Sequence, residues 1–378
     1  MVLSNGLQEL ERQTVQPSDF IFRLAISQQL FVCIHWLCHF KIVFGVPLDT
    51  EKSTTYEKLA EGSHVSLPTL KSVARMAMIH GFLRETSTGE IQHSELSASF
   101  VTVPDYYNWM MYMATQTAPT VANFVKATER WPESEKKNET AYSLSRGTDL
   151  SFFEHINVSP DLANEFGLYM KSQAANKAGT RVELLREGFD WASLGNATVV
   201  DIGGGGGDAS VSLAEQFSDL DFVIQDLPAA IATAKKRASS LPADMQKRLQ
   251  FREHDFFAPQ PIEGAAVYLL RMILHDWPDN ECIKILSQIS SSMGPDSRIV
   301  VMDMVLPRPG MMPLEQEAVL RQKDLVMKQN FNAKERELEE WKALMESVGL
   351  QVVAVKTPRG SQHSVLELVK HSVQSKWV

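Results

Sequence analysis

The sequence predicts an α/β fold in which a doubly wound, largely parallel sheet follows an all-helical N-terminal half. After about residue 196, short apolar runs rich in β-branched residues alternate with helical patterns. A glycine-rich turn, Gly203–Gly207, follows the first of these runs. Before residue 120, apolar residues recur at helical spacing instead. We therefore expect a sheet domain preceded by a separate helical domain.

Composition limits the classes of protein to consider. The chain has 378 residues, of which 44% are hydrophobic and 22% charged, the balance of a globular protein with more than one domain. A net charge of −9 argues against binding nucleic acid by phosphate neutralisation. Three cysteines are too few for a disulfide scaffold, which predicts a reducing, cytoplasmic location.

The N-terminus, MVLSNGLQELERQT, lacks the apolar core of a signal peptide. The apolar stretch of residues 21–46 is interrupted by polar side chains, namely Arg23, Gln28, Gln29, His35, His39 and Lys41. A membrane span requires about 20 apolar residues nearly free of charge. We therefore expect helices that pack against protein rather than lipid, and a homodimer formed through the first 120 residues.

Within the predicted domain 1–120, a helix is expected to open at Ser53-Thr54-Thr55 and a second one at Ser66-Leu67-Pro68. Residues 82–84 and 90–92 then form a small hairpin around a Ser-Thr-Gly turn. This order of elements is typical of a winged-helix unit. Because no basic cluster surrounds the second helix, a dimerisation or substrate-lid role is favoured over DNA binding.

Residues 121–195 carry helix and loop signals and are predicted to be a helical connector. The predicted sheet domain covers residues 196–372. Its strands are expected at residues 197–202, 221–226, 265–270, 297–304, 351–357 and 364–369. Helical segments between most of these strands imply right-handed crossovers.

The glycine run lies between a buried strand and a helix, in Val199–Asp208. Glycines let the backbone approach a ligand, and the helix N-terminus offers free N–H groups. Dinucleotide and S-adenosylmethionine binders share this context, although a tight strand–helix crossing also requires glycine.

Two later acidic positions favour an adenosine-type cofactor. Asp226 ends the next strand, where a carboxylate can accept hydrogen bonds from both ribose hydroxyls; the alternative is an N-cap for the helix after Pro228. Asp255 and Phe256 follow a further strand, and an acid beside an aromatic ring suits adenine. No GxxxxGK[ST] loop is present, so triphosphate chemistry is disfavoured.

Five linked motifs resemble those of the caffeic-acid-type small-molecule O-methyltransferases, and fungal natural-product members most of all. They are Asp201–Gly207, Gln225–Pro228, His254–Phe257, Leu274–Asp279 and Lys334–Arg336. The resemblance covers nearly the whole chain. It implies a class I, Rossmann-like S-adenosylmethionine fold, an N-terminal dimerisation domain and methyl transfer to a phenol or enol hydroxyl of a secondary metabolite such as a polyketide.

The resemblance also implies a set of cofactor contacts. They are Gly203 and Gly205 in the glycine turn, Asp226 and Leu227 at the ribose, Asp255 and Phe256 at the adenine, and Arg271 where plant enzymes often carry lysine. No histidine or cysteine pattern matches a metal site, so none is expected.

His275 matches the general base of the family. A phenol must lose its proton as the methyl group arrives, and imidazole titrates near neutral pH, near 6.5 unless burial or Asp303 shifts it. Asp303, where plant enzymes carry glutamate, and Glu335 would hold the histidine, and Asp276 is expected to be a structural partner. Taken alone, His275 also fits a core or helix-capping histidine.

Acceptor contacts are expected at Phe153, Met170, Lys323 and Met327, although any of the sixteen methionines also fits a core position. A second hypothesis is a cyclase of the same fold that keeps the cofactor but closes rings by a pericyclic reaction. Lys323 beside Asp324 keeps this alternative open, whereas the intact Leu274–Trp277 motif favours methyl transfer. A ligand-binding winged-helix regulator would have no use for the acid–base residues.

Overall fold

The computed structural model describes residues 14–176 and 181–371. These residues form two compact units. The first takes in the described residues of Met1–Ala122 and Phe153–Asn176, and the second those of Asn123–Phe152 and Lys177–Val378. The segment 121–195 is thus divided between the two units.

The first unit is helical apart from one small hairpin. Strands β1 (Arg84–Glu85) and β2 (Ile91–Gln92) pair antiparallel. Its helices are Pro17–His39, Ile42–Gly45, Tyr56–Gly62, Leu67–Ile79, Glu95–Thr102, Pro104–Tyr112, the π-helical turn Met113–Thr117, Ala118–Ala122, Phe152–Val158 from Phe153 onward, and Pro160–Asn176.

Local chemistry explains the helix starts in this unit. The Thr55 side chain accepts a hydrogen bond from the Lys58 N–H at the start of Tyr56–Gly62, and Pro68 lies in the first turn of Leu67–Ile79. Both helices and the hairpin of the sequence prediction are therefore present. Their apolar sides meet in a core that includes Leu37, Leu70 and Ile91.

One helix among the described residues, Pro17–His39, is long and apolar enough to cross a membrane, by length and composition only. The qualifying window has a mean hydropathy of 1.4, and only 11% of it is buried within the chain. Phe20, Ile21, Phe22 and Leu24 are all more than half exposed. The polar interruptions noted in the sequence therefore do not lower the hydropathy of this helix below that of a membrane span.

The second unit contains a seven-stranded mixed sheet in the order β10-β11-β7-β6-β3-β4-β5. The strands are β3 (Ala197–Ile202), β4 (Leu220–Asp226), β5 (Leu249–Glu253), β6 (Val267–Arg271), β7 (Arg298–Asp303), β10 (Leu350–Lys356) and β11 (Ser364–Lys370). Two short strands, β8 (Val305–Leu306) and β9 (Arg336–Glu337), pair parallel outside it.

Helices precede the first strand of this sheet and connect most of the strands. They are Phe124–Arg130, Ala141–Arg146, Leu185–Gly188, Asp208–Gln216, Pro228–Ala238, Ala243–Arg248, Asp279–Ser292, Leu314–Phe331 and Leu338–Glu346, with 3₁₀ turns at Val182–Leu184, Trp191–Leu194 and Leu274–Asp276. Phe152 at the start of Phe152–Val158 also belongs to this unit.

The sheet is largely parallel, as the sequence predicted, and antiparallel at one edge. Strands β3 to β7 pair parallel, whereas β11 pairs antiparallel with both β7 and β10. Only residues 357–363 join β10 to β11, and a parallel crossover requires about a dozen residues or more.

The chain order places the site. The chain runs outward from β3 to β4 and β5, then returns to the other side of β3 with β6 and β7. Ligands of open α/β sheets bind beyond the carboxyl ends of the strands at such a reversal. The residues that end β4, β6 and β7 are Asp226, Arg271 and Asp303, and Gly203 follows β3.

Candidate active site

The glycine loop begins where β3 ends. Gly203 and Gly205 adopt left-handed backbone conformations, with φ of 67° and 55°, which side chains disfavour. A Cβ atom on Gly203 would lie 2.6 Å from Ile273 Cδ1, whereas one on Gly205 would meet nothing within 4 Å. The loop is therefore closely packed at its start and open beside Gly205.

Asp226 holds this loop against the next strand. One carboxylate oxygen accepts a hydrogen bond from the Gly205 N–H at 2.8 Å, and the other accepts one from the Leu227 N–H at 2.7 Å. The N-cap alternative for Asp226 is wrong, because the N-cap of Pro228–Ala238 is Leu227. An ionised carboxylate has about four acceptor sites, so both oxygens retain room for a ligand hydroxyl.

Aromatic rings lie at the same edge of the sheet. Phe256 packs edge-to-face against Phe257 and Trp277, with ring centroids 5.1 and 5.7 Å away. A Cβ atom on Gly203 would lie 3.6 Å from Phe256 Cε1, so this ring also borders the glycine loop. Asp255 is exposed and accepts a hydrogen bond from the Phe257 N–H. The open space beside Gly205, the carboxylates of Asp226 and Asp255 and the flat ring of Phe256 together fit an adenosine-type cofactor.

Arg271, at the end of β6, lies in an acidic environment. Burial lowers the pKa of its guanidinium, and the charges of Asp201, Asp208 and Asp303 oppose that shift. Arg271 therefore lies within electrostatic reach of acids on both sides of the glycine loop and of Asp303 at the end of β7.

His275 is buried in the 3₁₀ turn Leu274–Asp276 that follows β6. Its Nδ1 lies 2.9 Å from Glu335 Oε1, a hydrogen bond in which the ring N–H donates to the carboxylate. Its Nε2 lies 3.7 Å from Asp276 Oδ1. Glu335 therefore fixes the ring orientation and directs the proton chemistry to Nε2.

Asp303 forms its hydrogen bond with the turn rather than with the imidazole ring. Its Oδ2 accepts a hydrogen bond from the Leu274 N–H at 3.2 Å, and its Oδ1 has no hydrogen-bond partner among the described residues. The side chain is fully buried. This arrangement agrees with a shorter acid that does not reach the imidazole directly.

Three carboxylates surround the His275 imidazole. Burial alone lowers the pKa of His275, but the charges of Asp276, Glu335 and Asp303 outweigh it and raise this pKa to about 10. Burial in turn raises the pKa of Asp303 to about 7 and that of Asp276 to about 6. The site therefore raises the pKa of His275 well above 6.5, and the imidazole is protonated at neutral pH.

Two residues with roles here had no role in the sequence analysis. Asp324 accepts a hydrogen bond from the Glu335 N–H at 3.0 Å, and Arg336 is fully buried directly beyond Glu335. Asp324 was noted only as a neighbour of Lys323. Arg336 could have been found from its place in the Lys334–Arg336 motif.

The predicted acceptor residues belong to different units. Lys323 and Met327 lie on Leu314–Phe331 in the second unit, where the Lys323 ammonium donates to Gln362 Oε1 at 2.7 Å. Phe153 and Met170 belong to the first unit. In the described part of the chain, no group of three or more histidine, cysteine or acidic side chains could hold a metal ion.

Comparison with known proteins identifies the family. Residues 132–351 match the O-methyltransferase domain family. The chain is 47% identical to the O-methyltransferase fsr2 of Gibberella fujikuroi over 361 residues, which cover 95% of this chain and 93% of the relative. It is 44% identical to the O-methyltransferase VdtC of Byssochlamys spectabilis, over 96% of this chain and 84% of the relative.

Solved structures share the fold. LepI in complex with S-adenosylmethionine matches with a TM-score of 0.77 at 23% identity, over 97% of this chain and 93% of LepI. A pericyclic reaction enzyme matches with a TM-score of 0.76 at 23% identity, over the same shares of the two chains. The family match and the two fungal relatives show that the chain belongs to the O-methyltransferase family.

Proposed function

We propose that the protein transfers a methyl group from S-adenosylmethionine to a phenol or enol hydroxyl of a secondary metabolite such as a polyketide, with His275 as the general base. The single observation that carries this proposal is the buried His275–Glu335 pair beside the cofactor edge of the sheet. The fungal O-methyltransferase relatives and the S-adenosylmethionine bound by LepI support it.

The cofactor supplies a methyl group on a positively charged sulfur, which needs no activation by the protein. The chain supplies positioning. Asp226 would accept hydrogen bonds from the ribose hydroxyls, with Leu227 beside it. The glycine loop around Gly203 and Gly205 would lie against the cofactor. Asp255 and Phe256 would hold the adenine, and Arg271 would contribute charge at the end of β6.

The proton has a defined route. The acceptor hydroxyl would donate to His275 Nε2, and the imidazolium that forms is stabilised by Glu335 at Nδ1. A histidine pKa of about 10 matches that of an ordinary phenol, so this transfer is nearly balanced in free energy. Because the resting imidazole is protonated at neutral pH, the reactive complex requires the net loss of one proton.

The remaining assignments concern the rest of the chain. Residues 1–120 would form a winged-helix dimerisation domain, residues 121–195 a helical connector at the acceptor pocket, and residues 196–372 the Rossmann-like catalytic domain. Phe153, Met170, Lys323 and Met327 would contact the acceptor. The exposed apolar face of Pro17–His39 supports the homodimer, and the enzyme would work in the cytoplasm on a small-molecule substrate.

A second candidate function has one observation in its favour. An imidazole that stays protonated at neutral pH is a cation that can polarise a carbonyl, as a pericyclic cyclase would require. The fold match to a pericyclic reaction enzyme is consistent with it but, at 23% identity, shows only the fold.

The test is His275→Ala, assayed with a phenol of pKa about 10. Removal of a positioned base should lower turnover by about 10²–10⁴-fold and leave S-adenosylmethionine affinity nearly unchanged. His371→Ala, which changes an exposed histidine after β11, is the matched control and should keep the parent rate. Methylation by His275→Ala at the parent rate would refute the base assignment. A parent product isomeric with its substrate would establish the cyclase.

A further inference from the structure

Arg336 is the most deeply buried cation of the acid–base cluster, and its contacts converge on the turn that carries His275. Its side chain is 0% exposed. The guanidinium donates hydrogen bonds of 3.0 Å to the carbonyl oxygens of Leu274 and Trp277. These two carbonyls flank the residues His275 and Asp276 on either side.

The charge of Arg336 is balanced by an acid on a different element. Asp279, the first residue of Asp279–Ser292, accepts hydrogen bonds from Arg336 Nε and Nη2 at 2.9 and 2.7 Å. Lys334 contacts the other oxygen of the same carboxylate at 3.3 Å. The indole of Trp341 lies 5.1 Å from the guanidinium carbon. The side chain is therefore fixed by a helix start, a turn and an aromatic ring at once.

The backbone next to Arg336 carries the partner of His275. Arg336 opens β9, which pairs with β8, and the preceding residue is Glu335. The same short segment thus carries the carboxylate that contacts the imidazole and the guanidinium that contacts the turn. Because both groups come from adjacent residues, a shift of the turn relative to this segment would lengthen the bond between His275 Nδ1 and Glu335 Oε1.

We propose that Arg336 is a positioning residue for the methyl-transfer base: it fixes both ends of the His275 turn and thereby holds the imidazole against Glu335. This inference rests on the proposed role of His275. It predicts that replacing the guanidinium by another cation, which keeps the charge but not the contacts, lowers the proton affinity of His275 as well as the rate; a purely structural role would not do this.

The variants are Arg336→Met, which keeps length and loses the charge, and Arg336→Lys, which keeps the charge but not the planar set of donors. We expect Arg336→Met to lower kcat by about 10–100-fold, the range caused by a misplacement of about 1 Å, with cofactor affinity nearly unchanged. Arg336→Lys should restore only part of the rate. The rise of kcat/KM with pH should move to lower pH in Arg336→Lys, because the His275–Glu335 contact is loosened while the positive charge is kept.

The matched control is Leu344→Ala, which removes a buried apolar side chain but none of the hydrogen bonds to the turn. It should lower the melting temperature but leave kcat per folded molecule and the pH profile as in the parent. If Arg336→Met loses rate only in proportion to its folded fraction, as Leu344→Ala does, the positioning role is refuted. If Arg336→Met does not fold, Arg336→Lys carries the same test.

A direct readout separates this proposal from the proposed function. In protein with ¹⁵N-labelled histidine, the imidazole signal of His275 is assigned by its loss in His275→Ala and followed through a pH titration. The proposal requires a lower titration midpoint in Arg336→Lys, which keeps the charge, than in the parent; an unchanged or higher midpoint overturns it. Failure of the base assignment would appear instead as unchanged turnover in His275→Ala.

Discussion

His275 illustrates how the environment of a single residue sets the chemistry available to it. The ring is buried, which disfavours its charged form, yet the three neighbouring carboxylates raise its pKa to about 10. Below that pH the imidazole is mainly protonated, so each unit of rising pH increases the neutral, basic fraction about tenfold. A base of this kind gains activity in alkaline solution rather than near neutrality.

The first prediction is therefore a pH profile. The kcat/KM of the parent should rise from about pH 7 towards about pH 10 for a phenol of pKa near 10. Glu335→Gln removes a negative charge from Nδ1, so it should lower the histidine pKa and move this rise to lower pH. Steady-state rates over this range check both statements. A parent profile that is flat above about pH 7 would contradict the raised pKa.

Asp226 gives a second prediction, on binding. Asp226→Ala removes the acceptor for the Gly205 N–H and for the ribose hydroxyls, so cofactor binding should weaken by about 1–3 kcal/mol. Titration calorimetry with S-adenosylmethionine measures this change. Asp221→Ala, an exposed acid on the same strand, is the control and should bind as the parent does. Equal affinities for the two variants would exclude Asp226 from the site.

Residues of the site differ in how far the sequence could predict them. His275, Glu335 and Asp226 were predictable because each lies in a motif linked to others in a fixed order. The roles of Arg336 and Asp324 were not, because each depends on a partner brought close only by folding: Leu274 and Trp277 for one, the Glu335 backbone for the other. The raised pKa of His275 likewise depends on three acids that meet only in the folded chain.

At the scale of elements, the glycine loop makes a sharp prediction on stability. Gly203→Ala adds a left-handed alanine, which costs about 1–2 kcal/mol, and a contact 2.6 Å from Ile273 Cδ1. Gly205→Ala adds only the backbone cost, because its Cβ would meet nothing within 4 Å. Chemical denaturation should therefore show a larger loss of unfolding free energy for Gly203→Ala. Equal losses would mean that Ile273 moves aside without cost.

The positions of most strands were predictable from the sequence, but the direction of β11 was not. Runs of buried β-branched residues indicated six of the seven strands to within two residues at each end. The edge strand β5 was implied by Asp255 but not delimited. The antiparallel β11 was missed because periodicity carries no direction; the short connection from β10 was the available signal.

At the scale of the whole molecule, the exposed apolar face of the helix Pro17–His39 bears on how the protein assembles. Its exposed apolar side chains cover most of its N-terminal half, and contiguous patches of this kind usually mark an interface. The sequence had indicated a partner for this stretch. It could not show which residues would face the partner, because that depends on how the helix packs on its own unit.

The last prediction tests that partner as a second copy of the chain. The parent should sediment at about twice its 42.4 kDa mass at micromolar concentration. Phe22→Glu combined with Ile26→Glu places two charges one helical turn apart on the exposed face and should shift the protein to a monomer. Val125→Glu, at a highly exposed apolar residue of the second unit, is the control and should remain dimeric. A monomeric parent that instead floats with lipid vesicles would assign this helix to a membrane surface, because its hydropathy suits lipid as well as protein.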